Sequence, residues 1–459
     1  MNHAEKFASF KNKMEAENLP DVVIKSFEYY YYQLLEGETG ILKETEIEPV
    51  ESLPDLENLD AEYGNYGSGF LNQTVVIKLN GGLGTSMGLN KAKSLLPVKN
   101  GLTFLDIIAR QAINTKVPLI LMNSFNTHSD SLELLKNYPE LQNDLPLDFQ
   151  QHKIPKIRKD NFNPVVWEEN PKLEWCPPGH GEIYLALETS GILDKLLEKN
   201  YKFAFISNSD NLGAFLEPKI LGYFVKNNLP FLMEVADRTE ADKKGGHLAY
   251  LKSGGLVLRE TAQCADEDIP DFQNVEKHKY FNTNNIWVNL EKLKQILTEK
   301  NAILGLPMIR NEKTVDPRNA SSPEVYQLET AMGSAISVFE GAGAIRVPRT
   351  RFAPVKTTND LLVIRSDAYV LTDDYKLVIN PERKHPKILV QLDSLYFKKI
   401  DDFDARFNKG IPSLIDCREL IVEGDFKFGA NVKIKGKAKL INKEEIQKTI
   451  ADGEILGED

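Results

Sequence analysis

Short apolar runs alternate with amphipathic patterns through the middle of the chain, from residue 72 to about residue 365. The apolar runs are rich in β-branched and aromatic residues, which favour strands. They lie at 74–79, 117–124, 203–210, 231–238 and 286–290. Apolar residues recur at helical spacing between them, at 104–113, 182–199 and 327–341. This alternation predicts an α/β domain with helices flanking a central mixed, mainly parallel sheet, which binds ligands at the carboxyl ends of its strands.

The two ends of the chain differ from this middle part. Residues 20–36 carry apolar side chains at helical spacing, which predicts a helix. Residues 37–70 are rich in acidic residues, glycine and proline, which predicts an irregular connector. We therefore expect an N-terminal helical segment with its connector at 1–70, a central domain at 71–365 and a C-terminal domain at 366–459.

A period of six residues marks the C-terminal part. Two series of apolar residues and one series of small residues keep this spacing. They are Val422, Phe428, Ile434 and Leu440; Leu420, Phe426, Val432 and Ala438; and Gly424, Ala430 and Gly436. A six-residue period is typical of a parallel β-helix, in which each stacked rung buries an inward apolar position. One or two ordinary hairpins remain the alternative.

Composition limits the partners of this chain. Its 459 residues include 67 acidic and 56 basic side chains, a net charge of −11, which argues against nonspecific binding to nucleic acid or to a membrane surface. The three cysteines form no C-x-x-C pair, as expected in a reducing compartment and without a zinc site. No apolar run reaches the length of a membrane span, and the N-terminus lacks the apolar core of a secretory signal. We therefore expect a cytoplasmic protein.

A glycine-rich loop follows the first predicted strand. Four glycines occur within residues 81–88, and successive exposed N–H groups of such backbone form a cradle for an anion. The loop is not a Walker loop, because Gly88 is followed by Leu89 and not by lysine. It is not a dinucleotide fingerprint either, because Met87 occupies the third glycine position. A cradle for a nucleoside triphosphate, with Lys93 nearby, is one interpretation, and a tight structural turn is the other.

Two further segments place polar groups at the ends of predicted elements. His180 lies between Gly179 and Gly181, just ahead of a helical pattern, where backbone N–H groups and a histidine suit a phosphate or sugar oxygen. A structural histidine is the alternative. The predicted strand at 203–210 ends in Asn208 and Asp210, and a carboxylate in that position is a natural Mg²⁺ ligand. The alternative is a helix cap formed by Asp210 or Asn211.

Weaker signals follow toward the C-terminal side. Gly246 ends the sequence Lys-Lys-Gly-Gly at 243–246, which sets basic side chains beside bare backbone. Asn284 belongs to a cluster of asparagines ahead of a strand, and amides suit a hydroxyl-rich sugar. Lys356 belongs to a basic stretch at 344–362, which fits anion binding in an acidic protein. Ordinary turns and a solvated basic face are the alternatives for these segments.

Taken in order, nine segments of the chain resemble the eukaryotic-type UTP–glucose-1-phosphate uridylyltransferase family, also called UDP-glucose pyrophosphorylases. They begin near residue 72 and read KLNGGLGTSMG, VPLILMNSFNT, PPGHGEIY, SNSDNLGA, FLMEV, ADKKGG, FNTNNIWVNL, QLETAMGSAI and VPRTRFAPVKTTNDLL. The resemblance implies a Rossmann-like nucleotidyltransferase domain at 71–365 and a left-handed parallel β-helix at 366–459. It also implies Mg²⁺-dependent transfer of the uridylyl group of UTP to glucose 1-phosphate, which gives UDP-glucose and pyrophosphate.

The resemblance assigns one set of residues to the nucleotide. The loop that binds the nucleotide and its phosphates would consist of Leu79, Asn80, Gly81 and Gly82, together with Lys93. The uracil side would contact Met122 and Gln151, followed by the backbone of Gly179. These roles follow from position in the matched segments.

A second set is assigned to a substrate phosphate, to the sugar and to catalysis. The resemblance implies that a substrate phosphate contacts His180 and that the sugar contacts Asn208, Gly246, Glu260 and Asn284. Asp210 would be the metal ligand, and Lys356 would reach the phosphates of both substrates. The catalytic residues would then be Lys93, Asp210 and Lys356.

The chain departs from the family pattern at two places, and other functions stay open. Lys91 and Ala92 stand where the family has Gly-Pro, and the neighbours of Gln151 also differ from the common form, at Gln150, His152 and Ile154. The same chemistry on galactose 1-phosphate or N-acetylglucosamine 1-phosphate is one alternative. A non-catalytic nucleotide-binding protein and a structural assembly protein built on the β-helix are two more. A homo-oligomer formed through the C-terminal domain also stays open.

Overall fold

The computed structural model describes residues 3–317, 319–385 and 387–458. The α-helices span His3–Ala16, Asp21–Leu35, Glu62–Ser68, Phe104–Thr115, His128–Leu135, Ile183–Thr189, Ile192–Glu198, Pro218–Lys226, Ile269–Phe272, Leu290–Glu299, Thr358–Arg365, Ser394–Phe397 and Ile400–Arg406. Short 3₁₀ turns connect many of them. The helix expected at 20–36 is confirmed at Asp21–Leu35, where Val23, Phe27 and Tyr31 are buried.

A central mixed sheet organises the middle of the chain. Its strands lie in the order Ile47–Pro49, His247–Leu251, Tyr280–Asn289, Phe203–Asn208, Thr74–Asn80, Leu119–Asn123 and Asp148–Gln150. Phe231–Asp237 pairs with Tyr280–Asn289 and with Gly343–Arg346, and Leu256–Arg259 pairs with His247–Leu251. The five predicted strands are therefore confirmed as members of one sheet, with helices on its faces.

Parallel pairing is concentrated on one side of this sheet. Phe203–Asn208, Thr74–Asn80, Leu119–Asn123 and Asp148–Gln150 all pair in parallel. The long strand Tyr280–Asn289 pairs antiparallel with its neighbours, and so do Ile47–Pro49, His247–Leu251 and Leu256–Arg259 among themselves, whereas Phe231–Asp237 pairs in parallel with Gly343–Arg346. The expected predominance of parallel pairing thus holds on the side of the glycine loop and not across the whole sheet. Four carboxyl ends meet there at one edge, as a ligand site in a parallel sheet requires.

Three other expectations need correction. Residues 327–341, expected to be helical, form the end of the strand Glu324–Thr330 and a 3₁₀ helix at Met332–Ser337, because the strand pairs with Met308–Thr314 in a separate small sheet. The helix expected at 182–199 is divided at Gly191, whose φ of 71° is left-handed. The irregular connector contributes the edge strand Ile47–Pro49 and the short helix Glu62–Ser68.

The C-terminal part is built from short parallel strands. Leu389–Leu392, Cys417–Glu423 and Gly436–Ile441 form one parallel sheet. Phe426–Lys427 pairs in parallel with Lys448–Thr449, and Lys433–Ile434 pairs in parallel with Ile455–Leu456. Residues of both apolar six-residue series are buried. The six-residue period therefore corresponds to parallel strands and not to ordinary antiparallel hairpins.

The remaining strands form small pairs and a three-stranded sheet around the central one. They are Pro97–Lys99 with Leu102–Thr103, Ile154–Pro155 with Trp175–Cys176, Tyr369–Leu371 with Leu377–Ile379, and Ile157–Arg158 beside Glu324–Thr330. The core of the central domain continues without interruption into the C-terminal part. The N-terminal helices have their own apolar cluster, which packs on Ile154, Cys176 and Leu185. None of the helices in the described part of the chain is both long and apolar enough to cross a bilayer.

Candidate active site

The glycine loop extends from the carboxyl end of the strand Thr74–Asn80. The Lys93 N–H donates to the Gly82 carbonyl at 3.0 Å, so the loop closes on itself and brings Lys93 back to its base. Gly84 has a φ of 67°, and a side chain at that position would collide with Leu89 and press on Lys93. A side chain on Gly82 would meet no atom within 4 Å. The backbone of Gly82 therefore borders open space, as a phosphate cradle requires.

Polar side chains beneath this loop form a chain of hydrogen bonds. Asn80 is buried, and its Nδ2 donates to Asn123 Oδ1 at 2.7 Å and to Ser131 Oγ at 2.8 Å. Asn123 Nδ2 donates in turn to Asp148 Oδ2 at 2.9 Å, and His128 Nδ1 lies 2.5 Å from the same oxygen. The Asn80 side chain is thus occupied within the protein, so that its backbone remains for the predicted substrate contact.

Lys93 and Asp210 meet across the edge of the sheet. Lys93 Nζ lies 2.7 Å from Asp210 Oδ2, with 15% and 22% of the two side chains exposed. They are 117 positions apart in the sequence, and the parallel pairing of the two preceding strands, together with the closure of the glycine loop, brings them together. The contact uses one carboxylate oxygen and leaves Oδ1 as a potential metal ligand.

The candidate metal ligand at this site is the carboxylate of Asp210. Within residues 3–317, 319–385 and 387–458, no group of three or more His, Cys, Asp or Glu side chains is arranged around a metal position. A single partly exposed carboxylate fits Mg²⁺, which commonly keeps water ligands and takes its remaining ligands from substrate phosphates. The predicted Mg²⁺ role of Asp210 stays a prediction.

Backbone contacts hold the Lys356 segment next to Asp210. The Val355 N–H donates to the Asp210 carbonyl at 3.1 Å, and Asn211 forms a bridge with Pro354. Lys356, the next residue, is exposed, so its side chain begins next to Asp210 and is open to solvent. The predicted catalytic residues Lys93, Asp210 and Lys356 are therefore brought together by the fold.

A buried ion pair that the sequence analysis did not identify supports this arrangement. Arg351 donates from Nε and Nη2 to the two oxygens of Glu234, at 2.7 Å and 2.8 Å. The two side chains are 3% and 0% exposed. Asn285 and Trp287 also donate to Glu234, at 3.0 Å and 2.9 Å. One sequence signal was available, because a glutamate in the middle of an otherwise apolar strand needs a buried partner.

Gln151 lies where a uracil contact would be expected. Its N–H donates to the Asn123 carbonyl at 2.8 Å, and a side chain on Gly81 would lie only 2.8 Å from Gln151 Nε2. The amide therefore packs on the first glycine of the loop. Leu79 and Met122 are register partners in neighbouring strands, and the Met122 side chain is in the core. Of these residues, Gln151 presents its side chain to the loop.

His180 sits on a loop that is fixed by the segment 330–332. The Thr330 N–H donates to the Pro178 carbonyl at 3.0 Å, and Gly179, with a φ of 83°, packs so closely on Thr330 that a side chain would collide with it. The Met332 N–H donates to His180 Nδ1 at 3.0 Å. Burial lowers the pKa of His180 to about 4, so the ring is neutral and its proton lies on Nε2. Nε2–H is then available as a donor to an anion.

Three of the predicted sugar contacts, Gly246, Glu260 and Asn284, lie around the first half of the strand Tyr280–Asn289. A bulge in its pairing with Phe231–Asp237 leaves Asn284 at a φ of 58°, where its N–H donates to Asn282 Oδ1 at 2.8 Å. Gly246 lies against the Glu260 carboxylate, which a side chain would displace. Burial raises the pKa of Glu260, and the charge of Lys356 acts against this rise.

Lys356 is therefore close enough to the sugar-side carboxylate to influence it electrostatically. Asn208, another predicted sugar contact, ends its strand at the register position of Leu79 and is partly buried. Asn208 thus lies beside the glycine loop, and Glu260 lies within electrostatic reach of Lys356. The roles of the predicted sugar and nucleotide residues stay predictions.

Lys78 is a second buried charge that the sequence analysis did not identify. It lies in the strand Thr74–Asn80 with 2% of its surface exposed, and its Nζ donates to Ser207 Oγ at 2.7 Å and to the Ala214 carbonyl at 2.6 Å. Burial lowers its pKa to about 7. The amine thus ties the strand before the glycine loop to the segment that follows Asp210.

A glycine loop, a carboxylate and two lysines at the carboxyl ends of parallel strands are what an α/β nucleotidyltransferase needs to hold a triphosphate and displace part of it. Comparison with known proteins gives the particular kind. A family model described as UTP–glucose-1-phosphate uridylyltransferase matches residues 24–435, and the chain belongs to that family. The family resemblance seen in the sequence is confirmed.

Individual relatives agree over most of their length. The UTP–glucose-1-phosphate uridylyltransferase of Solanum tuberosum is 44% identical over 393 residues, covering 84% of this chain and 80% of the potato protein. The crystal structure of a UDP-glucose phosphorylase from Trypanosoma brucei is 47% identical, with a TM-score of 0.90 and 98% of each chain covered. A UDP-glucose pyrophosphorylase variant from Leishmania major, solved in complex with UDP-glucose, is 42% identical, with a TM-score of 0.91 and 98% of each chain covered.

Proposed function

We propose that this chain transfers the uridylyl group of UTP to glucose 1-phosphate, giving UDP-glucose and pyrophosphate. The observation that carries the proposal is the family match over residues 24–435. The related Leishmania major protein was solved with UDP-glucose, which is the product named here. The arrangement of Lys93, Asp210 and Lys356 supplies the charges that this reaction needs.

The reaction needs positioning more than covalent help from the protein. An oxygen of glucose 1-phosphate attacks the α-phosphorus of UTP, and the bond to pyrophosphate breaks in line. Backbone N–H groups of the glycine loop hold the triphosphate, and Gln151 faces the base. His180 donates from Nε2 to a substrate phosphate, because its neutral ring has no proton on Nδ1. Glu260 and Asn284 hold the sugar hydroxyls.

Charge compensation is the second requirement, since two anionic substrates must approach each other. Lys93 contacts Asp210, and Lys356 directly follows the residue that is bonded to the Asp210 backbone. The positive charges of the two lysines would offset this repulsion. Asp210 would hold Mg²⁺, which agrees with the partly exposed carboxylate and its remaining oxygen. When bound, Mg²⁺ neutralises phosphate charge and orients the pyrophosphate group.

The direct experiment measures pyrophosphate release from UTP and glucose 1-phosphate, with and without Mg²⁺. Galactose 1-phosphate and N-acetylglucosamine 1-phosphate serve as competing sugars, and we expect glucose 1-phosphate to give the highest kcat/KM. A higher kcat/KM with another sugar phosphate would change the substrate and keep the chemistry. Binding of UTP without release of pyrophosphate from any of the three would favour the non-catalytic alternative.

Asp210→Asn tests the metal site. We expect kcat to fall about 10²-fold or more, since one preorganised electrostatic contact to the transition state is lost. The Mg²⁺ concentration that gives half-maximal activity should rise as well. Asp144→Asn is the control, because Asp144 is a surface acid with 86% of its side chain exposed. An unchanged Mg²⁺ titration for Asp210→Asn would remove this residue as a metal ligand.

We also infer that the C-terminal strands form a left-handed parallel β-helix. Their parallel pairing and the burial of the six-residue series support this. A homo-oligomer through this part is proposed as well, since Leu395, Ile446 and Ile455 expose 76%, 75% and 57% of their surface. Sedimentation of the full chain tests it, and a monomer at micromolar concentration would reject it.

A cytoplasmic location is inferred from the free thiols of Cys176, Cys264 and Cys417.

A further inference from the structure

Two stretches of chain on the nucleotide side of the site are joined by the strand pair Ile154–Pro155 with Trp175–Cys176 and, closer to the predicted substrate contacts, by a side-chain contact. The first carries Gln151, whose side chain packs on the glycine loop. The second carries His180, whose loop is fixed by the Met332 N–H. His152 Nδ1 is hydrogen-bonded to Glu182 Oε1, across 30 positions of sequence. Each partner lies one or two residues from a predicted substrate contact, so this bond links the two stretches directly.

The contact is shielded from water. The His152 side chain is 14% exposed and the Glu182 side chain is 4% exposed. His152 Nε2 lies 3.4 Å from Thr189 Oγ1, so both ring nitrogens have neighbours and the ring orientation is defined. Hydrogen bonds to ionised groups gain strength where water is excluded, which makes this bond more than a surface ion pair.

Glu182 depends on His152 for its hydrogen bonding. Its second carboxylate oxygen, Oε2, is buried and has no hydrogen-bond partner within the described residues. Burial raises the pKa of Glu182, and the contact with His152 acts against this rise. Removing the His152 side chain would therefore leave a buried carboxyl group with only the backbone contact to residue 152, at the start of the helix Ile183–Thr189 and directly after the His180 loop. The loop would have to shift to bring that group to water.

We propose that the His152–Glu182 pair positions the two nucleotide-contacting stretches relative to each other and so sets the affinity for UTP. Neither side chain is assigned a contact with substrate, so both are positioning residues. The inference rests on the proposed function, because it takes Gln151 and the Gly179–His180 loop as parts of the UTP site. The pair bears on the nucleotide side only, since the sugar-side residues Glu260 and Asn284 lie on other elements.

A double-mutant cycle tests this proposal. His152→Leu and Glu182→Leu are compared with the double variant and with wild type for kcat, for KM of UTP and for KM of glucose 1-phosphate. We expect each single variant to raise the KM for UTP about tenfold, the loss of one shielded charged hydrogen bond. The kcat and the KM for glucose 1-phosphate should change less than about threefold. The KM for UTP of the double variant should be no higher than that of the single variant with the higher KM, as expected for a coupled pair.

Conservative and control variants separate positioning from stability. His152→Gln keeps an N–H donor and should recover most of the UTP affinity. Lys13→Met breaks the partly buried Lys13–Glu174 ion pair in the N-terminal part, and should lower stability with no change in KM. If His152→Leu lowers the unfolding midpoint as Lys13→Met does but leaves the KM for UTP unchanged, the proposal is overturned.

Two further measurements keep the outcome decisive. If a leucine variant does not fold, His152→Ser removes the contact, leaves room for water at Glu182 and carries the same expected rise in the KM for UTP. Titration calorimetry of UTP with wild type and His152→Ser measures the affinity without turnover. Absence of pyrophosphate release by wild type would refute the proposed function, whereas equal UTP affinity of the two proteins would refute the role of the pair.

Discussion

Lys78 is a single buried residue beneath the candidate active site that makes stability depend on pH. Its amine is enclosed by the sheet and by the segment after Asp210, and it makes two short hydrogen bonds there. Because water is excluded, the neutral form is favoured and the pKa falls from 10.5 to about 7. The residue therefore binds fewer protons in the folded chain than in the unfolded chain between pH 7 and pH 10.5.

This difference makes the free energy of unfolding depend on pH. Between pH 7 and pH 10.5 the unfolded chain binds more protons at Lys78, so the free energy of unfolding rises with pH, on the order of 1 kcal/mol per pH unit. Lys78→Met removes the titrating group. Urea unfolding at pH 7.5 and pH 9 should show wild type gaining stability relative to this variant as the pH rises.

All other titrating groups contribute equally to wild type and to Lys78→Met, so their effects cancel when the two proteins are compared. A surface lysine provides the control. Lys202→Met should keep a constant difference from wild type, since Lys202 stands partly exposed at the opposite end of the strand Phe203–Asn208. Parallel curves for wild type and Lys78→Met would show that the amine keeps its ordinary pKa.

At the scale of elements, close packing of the His180 loop determines where its side chain points. Gly179 needs a left-handed φ and leaves no room for a side chain beside Thr330. The adjoining hydrogen bond between Thr330 and Pro178 fixes the loop to the strand Glu324–Thr330. A strand that sequence patterns assigned to a helix is thus the support of a predicted phosphate contact.

Gly179→Ala should displace this loop. We expect kcat/KM to fall at least about tenfold, because the collision with Thr330 involves backbone and only movement of the loop relieves it. Gly191→Ala is the matched control. Gly191 also has a left-handed φ, of 71°, but a side chain there meets no atom within 4 Å. The control should lose about 1 kcal/mol of stability and keep its kinetic constants. Equal kinetics for the two variants would contradict the role of the loop.

The strands of the nucleotide side could be predicted because their patterns are local. Buried parallel strands are apolar on both faces, and 74–79 and 203–210 show this plainly. The strand Glu324–Thr330 could not be recognised in the same way. Its apolar residues suit a helix as well as a strand, and the pairing with Met308–Thr314 decides between them.

Prediction of the site from the sequence was limited in a different way. Residue types and family motifs indicated Lys93 and Asp210 one at a time, but their contact across 117 positions depends on strand order. The pair Glu234–Arg351 was missed because neither residue signals its partner, and only the fold brings the two segments together. Sequence patterns therefore gave candidates for the site, and the tertiary structure supplied the buried charges that support them.

At the scale of the whole molecule, the central and C-terminal parts share one core. Phe403 is fully buried in the helix Ile400–Arg406, and its ring lies 4.7 Å from that of Phe407. Arg365, from the central domain, stacks over Phe403 and bonds to Asp404 at 2.6 Å. The C-terminal part also reaches the glycine loop, where a side chain on Gly88 would lie 2.9 Å from Lys399. Stability and site geometry are thus linked across this boundary.

Phe403→Ala should lower the free energy of unfolding by about 3–5 kcal/mol, the usual loss for a buried aromatic ring. Because the core is continuous, tryptophan fluorescence and circular dichroism should report one shared transition at a lower midpoint. Val166→Ala is the control, since Val166 is 67% exposed, and it should change stability by less than about 0.5 kcal/mol. Two separate transitions would mean that the parts unfold independently.

The bond from the Val355 N–H to the Asp210 carbonyl has a consequence for substrate exchange. It fastens the chain just before Lys356 to the tip of a central strand, and Asn211 adds a second tether at Pro354. Admission of UTP and escape of UDP-glucose would then leave this junction in place. The distance between the backbones of Asp210 and Lys356 would stay nearly constant through the turnover cycle.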